Sequence, residues 1–337
     1  MKDFLYYPGC SMEYSARAYD ESLRAISPAL GMRLNEIEDW NCCGATEYLG
    51  ISRTPAYALI ARNLAIGAKA ANGSRELVAP CSACYLNLAK ADHYMSEQPS
   101  LGTRVNEALA AGDLAYEPGS LKIRHLLDVL VNDIGLETIE RLVVQPLSGL
   151  RLVPYLGCMV PRPDYGERFS DHDFPTELDS LLKALGADVV DYPLKTECCG
   201  GHMPQIGPEM GFEMIHRLIA TAEHAEADAM VTMCPMCQLN LDAYQGEMNQ
   251  HFKTKYHMPV LFFTQMIGLA LGVEPKKLGF GLELVSARNV LETLGVKPPE
   301  ETPPAPAKRP RKPDGLPMPS RLATSARAND AAKEVVR

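Results

Sequence analysis

All ten cysteines of the 337-residue chain fall into one pattern written twice. Cys10, the run Cys42-Cys43-Gly44 and the pair Cys81 and Cys84 recur as Cys158, the run Cys198-Cys199-Gly200 and the pair Cys234 and Cys237. No thiol is left over. Packing alone does not call for sulfur at five matched places in each half, whereas ligation of a soft metal does. The match extends past cysteine: Tyr7-Pro8-Gly9-Cys10 faces Tyr155-Leu156-Gly157-Cys158, and Cys84-Tyr85-Leu86-Asn87-Leu88 faces Cys237-Gln238-Leu239-Asn240-Leu241.

The duplication divides the chain. Each half opens with a short apolar run, Phe4 to Tyr7 or Leu152 to Leu156, that stops at Gly-Cys as a buried strand feeding a loop does. A helical stretch is expected from there to each Cys-Cys-Gly. The next helix of the first half is predicted to be capped by Thr54, with Pro55 at its first position and Tyr57, Leu59, Ile60, Leu64 and Ile66 as its apolar stripe to about Ala71. In the second half Pro208 opens a run through Met210, Met214, Ile215, Leu218, Ile219 and Ala222. Strands are predicted at Glu76 to Ala79 and Ala229 to Thr232, each ending at a CxxC pair.

This alternation predicts an α/β fold: two homologous domains, each a small, mostly parallel sheet flanked by helices, related by a pseudo-two-fold duplication. The expected domains are 1–150 and 151–297. Residues 298–337 change to Pro, Ala, Lys and Arg, a tail expected to be extended or disordered and to serve as linker or docking segment, with a short helix near Asn329 to Val335. In such folds the loops at the carboxyl ends of the strands form the sites, so the three cysteine elements of a half are expected to converge there.

A net charge of −9 argues against a nucleic-acid partner. The most apolar stretch, Val260 to Val273, is broken by Thr264 and Gln265 and falls short of the ~20 residues of a membrane span, so no crossing is expected. The opening Met1 to Pro8 has no long apolar core before a small-residue cleavage site. A cytoplasmic location is therefore expected. In a reducing compartment, cysteines at this density are read as metal ligands or redox groups rather than structural disulfides.

Four thiolates complete a zinc site or an iron–sulfur cubane, and each half has five. The adjacent sulfurs of Cys42 and Cys43, like those of Cys198 and Cys199, suit different irons or a bridging position. The reading favours an unusual iron–sulfur centre over structural zinc, which leaves the fifth cysteine without a use, and over purely thiol redox chemistry.

The motif Cys, Cys-Cys-Gly, CxxC resembles the cysteine-rich CCG domain. Two such domains without ferredoxin motifs resemble the B-type subunit of heterodisulfide reductase, over roughly residues 1–290, including His125-Leu126-Leu127-Asp128-Val129-Leu130 and Pro275-Lys276-Lys277-Leu278-Gly279-Phe280. The resemblance implies two noncubane 4Fe-4S clusters, one on Cys10, Cys42, Cys43, Cys81 and Cys84 and the other on Cys158, Cys198, Cys199, Cys234 and Cys237. It also implies a disulfide held between them, cleaved with two electrons. Neither a C-x2-C-x2-C-x3-C-P run nor a GxGxxG strand-turn-helix fingerprint is present to deliver those electrons. A partner is therefore expected, which the resemblance implies is an iron–sulfur C-type subunit, often with a flavin-bearing A-type subunit.

Gly44, Gly200 and Gly201 are read as supporting turns that let backbone approach the cofactor. His202 is a candidate donor to the second centre or to a product thiolate, against the plainer reading of a solvent-facing loop residue; Ala45-Thr46 stand in the matching region of the first half. His125, with a counterpart near Gln265, is read as a cap or core hydrogen-bonding group, and Asn87 and Asn240 as orienting the helix starts after each CxxC, with donation to a cluster sulfur as their other use. Arg17, Arg162, Arg168 and Lys195 are read as surface charges, with an anionic substrate tail as their other use.

The leading expectation is a subunit that reduces a disulfide or runs the reverse thiol oxidation. Alternatives are a bacterial sulfur-oxidation version acting on thiols, persulfides or a sulfur-carrier protein, an electron-transfer subunit of a glycolate, lactate or glycerol-phosphate dehydrogenase, and a zinc-bound scaffold without redox function.

Overall fold

Two four-stranded sheets, every strand pair parallel, form the frame of the computed structural model. The described residues are 1–299 except 46, 72 and 163–168. The expected tail and the helix near Asn329 lie outside them, and Met1–Pro299 forms one unit.

The first half runs β1 (Lys2–Tyr6), α1 (Cys10–Glu13), α2 (Arg17–Ile26), β2 (Met32–Glu36), α3 (Glu47–Ile51), α4 (Arg53–Ala70), β3 (Glu76–Ala79), α5 (Ser82–Glu97), α6 (Pro99–Leu109), β4 (Lys122–His125), α7 (Leu126–Val129) and α8 (Leu136–Leu142). The second half runs β5 (Arg151–Tyr155), α9 (Glu177–Ala184), β6 (Asp188–Val189), α10 (Met203–Ile206), α11 (Pro208–His224), β7 (Ala229–Thr232), α12 (Pro235–Ala243), α13 (Gln245–Phe252), β8 (Val260–Phe262), α14 (Phe263–Ala270) and α15 (Arg288–Thr293). The strand orders β2-β1-β3-β4 and β6-β5-β7-β8 correspond, so the duplication holds at the level of topology.

The strands before the CxxC pairs stand where the apolar runs predict them. Other elements differ. Strands β2 and β6 interrupt the helical stretch expected before each Cys-Cys-Gly; β2 is an edge strand in which only Met32 is buried, so it carries no continuous apolar run to announce it. In β4 a buried cation hides the strand: Arg124 pairs with Asp128, with Glu76 at 3.0 Å and with Asp133 at 3.2 Å. Helix α4 starts earlier than expected, capped at Ser52, and Pro55 sits inside its first turn. Proline is tolerated there because the first N–H groups of a helix have no partner within it.

The halves are packed through each other. Helix α14 and the short 3-10 turn Pro275–Leu278 of the second half lie on α2 of the first, while α7 and α8 lie on α9. At the first seam Tyr19 stacks on Phe262 with ring centroids 4.5 Å apart, and the buried hydroxyls of Ser22 and Thr264 meet at 2.6 Å. One apolar core therefore runs through both halves, and a smaller one lies within the second. Truncating a buried aromatic at such a seam costs about 3–5 kcal/mol.

Candidate metal centres

In each sheet the chain leaves the first strand in one direction and returns on its other side. That arrangement opens a crevice at the carboxyl ends of β1 and β3, or of β5 and β7. Cys10 follows β1, Cys42 and Cys43 follow β2, and Cys81 follows β3 to cap α5, whose first turn holds Cys84. Cys158, Cys198, Cys199, Cys234 and Cys237 repeat this around β5, β6, β7 and α12.

The sulfurs form a string. Cys10 and Cys42 meet at 3.4 Å, as do Cys43 and Cys84, and thiol contacts between Cys42 and Cys43 and between Cys84 and Cys81 close the series. In the second half the same contacts link Cys158, Cys198, Cys199, Cys237 and Cys234 in that order. Glycine makes room for each nest: a Cβ on Gly9 would lie 2.7 Å from the Cys84 sulfur, and one on Gly157 would lie 2.9 Å from that of Cys237. Both glycines have positive φ, +76° and +70°.

Crowding sets the protonation. Cys42 and Cys198 are held far below the ordinary thiol range, first because Cys10 and Cys158 donate to them. The amides of Gly44 and Gly200, each 3.4 Å from the sulfur, add to this. The same contacts push Cys10 and Cys158 up, and Cys42 and Cys198 push Cys43 and Cys199 up in turn. Loading a metal therefore has to release protons.

Gly44, Gly200 and Gly201 all adopt positive φ, as their supporting role predicts, and Ala45 takes the place of Gly201 at φ 46°. Asn87 donates to the Cys43 and Ala45 carbonyls at 3.2 and 2.5 Å; Asn240 donates to those of Cys199 and Gly201 at 3.3 and 2.6 Å. These asparagines tie the Cys-Cys-Gly loop to the CxxC helix, and Asn240 also reaches the Cys199 sulfur at 3.6 Å.

The rims of the nests differ. Cys10 and Cys42 are exposed, on a cleft of about 680 Å³ lined also by Glu13, Glu38, Asp39 and Trp40. Cys158 and Cys198 are half-buried. Beside them Lys195 pairs with Asp179 at 2.8 Å and lies over the Phe174 ring, while Arg162 donates to the Thr196 carbonyl and Thr196 to that of Asp173. The expectation of a surface charge is thus wrong for Lys195, which is 2% exposed; its position in a charged, polar tripeptide masks its burial. Arg17 is a surface charge, paired with Glu21. Arg168 and Thr46 lie outside the described residues.

His202 is half-buried at the start of α10, with its Nδ1 3.3 Å from Gln205 Oε1. His125 ends β4 and caps α7 by accepting from the Leu127 amide at 3.1 Å. Its counterpart by topology is Phe262 at the end of β8, three residues before the expected Gln265; that glutamine accepts from the Phe262 amide at 2.9 Å.

Sequence reasoning passed over four residues. Tyr7 and Tyr155 are buried beside the thiols and donate at 2.7 Å to the Asn41 and Glu197 carbonyls, pinning the entry to each cysteine pair. Burial, with the nearby thiolates second, raises both phenols. The aligned Tyr-x-Gly-Cys segments contained this signal. Between the nests, the Ser82 hydroxyl lies 3.5 Å from the Met233 carbonyl, and fully buried Tyr19 feels the charge of both Cys81 and Cys234. Nothing local in the sequence marks these two, because only the packing of the halves brings them to the nests.

Among the described residues no three His, Cys, Asp or Glu side chains surround one point as a single bound ion requires. Each nest brings five sulfurs into one string, one more than a tetrahedral site uses, with glycine leaving room beside them. That donor set fits a multi-iron group better than one tetrahedral zinc. No helix among the described residues is long and apolar enough to cross a membrane.

The model of the CCG cysteine-rich domain matches the chain twice, at residues 4–89 and 153–242. The chain is 34% identical over 286 residues to the 8-methylmenaquinol:fumarate reductase membrane anchor subunit of Wolinella succinogenes, covering 85% of this chain and 98% of that one. It is 32% identical over 274 residues to a protein of Archaeoglobus profundus named as like the B-type subunit of heterodisulfide reductase, covering 80% and 90%. With the B-type subunit of the ferredoxin/F420H2-dependent CoB-CoM heterodisulfide reductase of Methanosarcina acetivorans it shares 27% identity over 281 residues, covering 81% and 90%. A solved structure of a hypothetical protein from Helicobacter pylori superposes with a TM-score of 0.65 at 15% identity, covering 85% of this chain. This chain spans about half of that protein, at 52%, and the likeness is one of fold. Two matched copies of the domain, on two all-parallel sheets and with relatives at this identity over most of their length, make this chain a member of the heterodisulfide reductase B-subunit family of duplicated CCG cysteine-rich domain proteins.

Proposed function

We propose that this chain is the B-type subunit of a heterodisulfide-reductase-like complex, in which each five-cysteine nest holds a noncubane 4Fe-4S cluster and a disulfide is cleaved between the two. The observation that carries the reading is the pair of intact nests whose CxxC helices begin against each other, at Ser82 and Met233. One disulfide, two electrons and two protons give two thiols. Bound in the nests, the clusters would supply one electron each and iron sites for the two product sulfurs.

The chain's own residues hold and insulate that chemistry. Ten thiolates anchor the groups, the Gly44 and Gly200 amides point at the sulfurs of Cys42 and Cys198, and Tyr7 and Tyr155 fix the approach to each cysteine pair. Tyr19 and Phe262, stacked and buried, keep water from the floor between the nests, where an unscreened charge interacts more strongly. Electrons come from an iron–sulfur C-type partner, itself supplied by a flavin-bearing A-type subunit, and the substrate is a low-molecular-weight disulfide or sulfur on a carrier protein.

The test is anaerobic purification with metal analysis, then oxidation of the reduced protein by a mixed disulfide. About eight irons per chain and two thiols released per disulfide are expected. Stoichiometric zinc without iron overturns the reading. The Wolinella relative, matched over 98% of its length, favours a second reading: an electron-carrying subunit of a quinol-linked respiratory reductase. Reduction of the iron-loaded complex by a menaquinol analogue, with no disulfide turnover, selects it.

A further inference from the structure

The two asparagines that tie the cysteine loops to the CxxC helices are not equivalent. Asn87 and Asn240 each follow the last cysteine of a CxxC by three residues, both are buried, and each sends its side-chain nitrogen to two carbonyls of its own Cys-Cys-Gly loop. A carbonyl oxygen only accepts, so these bonds establish which end of each amide is the donor. Among the described residues, the hydrogen bonds of Asn87 end at the Cys43 and Ala45 carbonyls. Asn240 Nδ2 lies in addition 3.6 Å from the Cys199 sulfur, within hydrogen-bonding distance of so large an acceptor. We infer that Asn240 is a positioning residue that donates to the Cys199 sulfur and so raises the reduction potential of the second centre, a device the first centre lacks.

The amide nitrogen carries two hydrogens. One goes to the Gly201 carbonyl at 2.6 Å, and the other is shared between the Cys199 carbonyl at 3.3 Å and the Cys199 sulfur at 3.6 Å. That carbonyl bond is longer than an ordinary N–H···O contact, so leaning the hydrogen toward the sulfur sacrifices little. Reducing an iron–sulfur group puts part of the added charge on its ligand sulfurs. A donor there becomes charge-assisted, stabilises the reduced form and raises the potential. The setting keeps the bond effective. Cys199 is buried, and thioethers close over its loop: a Cβ on Gly200 would lie 3.6 Å from Met214 Sδ, and one on Gly201 would lie 3.6 Å from Met236 Sδ. Little water competes for the donor in such a place. Where two electrons reach a disulfide from two one-electron centres, the bond shifts the first electron to arrive toward the second centre.

The inference rests on the iron–sulfur reading, and the twin asparagines supply its control. The full chain, loaded anaerobically, is titrated redox-potentiometrically and followed by electron paramagnetic resonance, with C43S and C199S variants assigning each signal to its centre. Asn87→Ala and Asn240→Ala both cut a loop tie, but only Asn240→Ala also removes a sulfur donor. It is expected to cost the reduced second centre about tenfold in relative stability, a fall of about 59 mV for a one-electron couple, whereas Asn87→Ala leaves the first centre's potential in place. Equal shifts in the two variants, or an unmoved second centre in Asn240→Ala, overturn the inference. If either variant loses its cluster, the wild-type chain carrying asparagine labelled with heavy nitrogen decides. A nitrogen hyperfine coupling on the second centre's signal and none on the first supports the donor; no coupling on the second, or equal coupling on both, overturns it. A wild-type chain that takes up no iron overturns the iron–sulfur reading instead.

Discussion

Three residues before its first paired cysteine, the first half has Asp39 and the second has Lys195. Asp39 is 83% exposed on its side chain and pairs with Arg62 at the surface; Lys195 is buried and pairs with Asp179 under the Phe174 ring. The five sulfurs around these opposite charges are strung in the same order. Ligand geometry tolerates little change, so the nests stayed alike. The rims touch solvent or neighbouring loops, and their cysteines are exposed in the first nest and half-buried in the second.

Replacing one sulfur in either nest challenges their equivalence most strongly. C43S and C199S are each expected to lose about half of the iron, roughly four of eight atoms, with the other half's spectrum intact. Complete loss from either variant, measured by iron analysis, would mean that the nests do not load independently.

The rim contrast comes next. Lys195→Met leaves the half-buried Asp179 without its cation and is expected to cost about 3 kcal/mol. Arg62→Met at the exposed pair is expected to cost at most about 1 kcal/mol. Urea unfolding of the two apoproteins measures the gap, and equal losses would erase the distinction between covered and open rims.

Acid separates the halves as well. His125 is fully buried, and burial pushes it from 6.5 down to about 4, opposed more weakly by the Pro80 carbonyl and Asp128. Phe262 holds the equivalent place and does not titrate. Between those pH values the unfolded chain binds a proton that the folded chain refuses, so the stabilisation is whole above pH 6.5 and is lost as pH falls toward 4. At 1.36 kcal/mol per unit this amounts to roughly 3 kcal/mol. His125→Gln is expected to flatten that part of the stability profile; an unchanged slope would place the acid sensitivity elsewhere.

The smallest expected effect is at the turn after Cys-Cys-Gly. Ala45 occupies left-handed backbone where the second half has Gly201. Ala45→Gly is expected to stabilise by about 1 kcal/mol and Gly201→Ala to destabilise by a similar amount, read as opposite shifts in melting temperature.

Much of the site was legible because its chemistry is local. Cys42-Cys43-Gly44 brings two thiols and a turn in three consecutive residues, and a CxxC at the end of an apolar strand puts its sulfurs at a helix start wherever it occurs. Strand β7 and helix α11 were legible for a similar reason, an apolar run or a proline at a helix start. Edge strand β2 and strand β4 were not. The first is mostly polar, and the second buries an arginine that pairs with Asp128 and Asp133 just after it and with Glu76 from the neighbouring strand β3.

The sequence by itself determined the two five-cysteine sets and the parallel α/β frame, because each follows from neighbouring residues and a repeated pattern. Only the tertiary structure decided that the domains pack through α2 and α14, that Ser82 meets Met233, that Tyr19 stacks on Phe262 and that Lys195 is buried. Those contacts join residues far apart in the chain, or depend on which face of a loop is covered. Local propensity carries no record of either, since the energy that selects them comes from apolar area removed from water when the two halves close on each other.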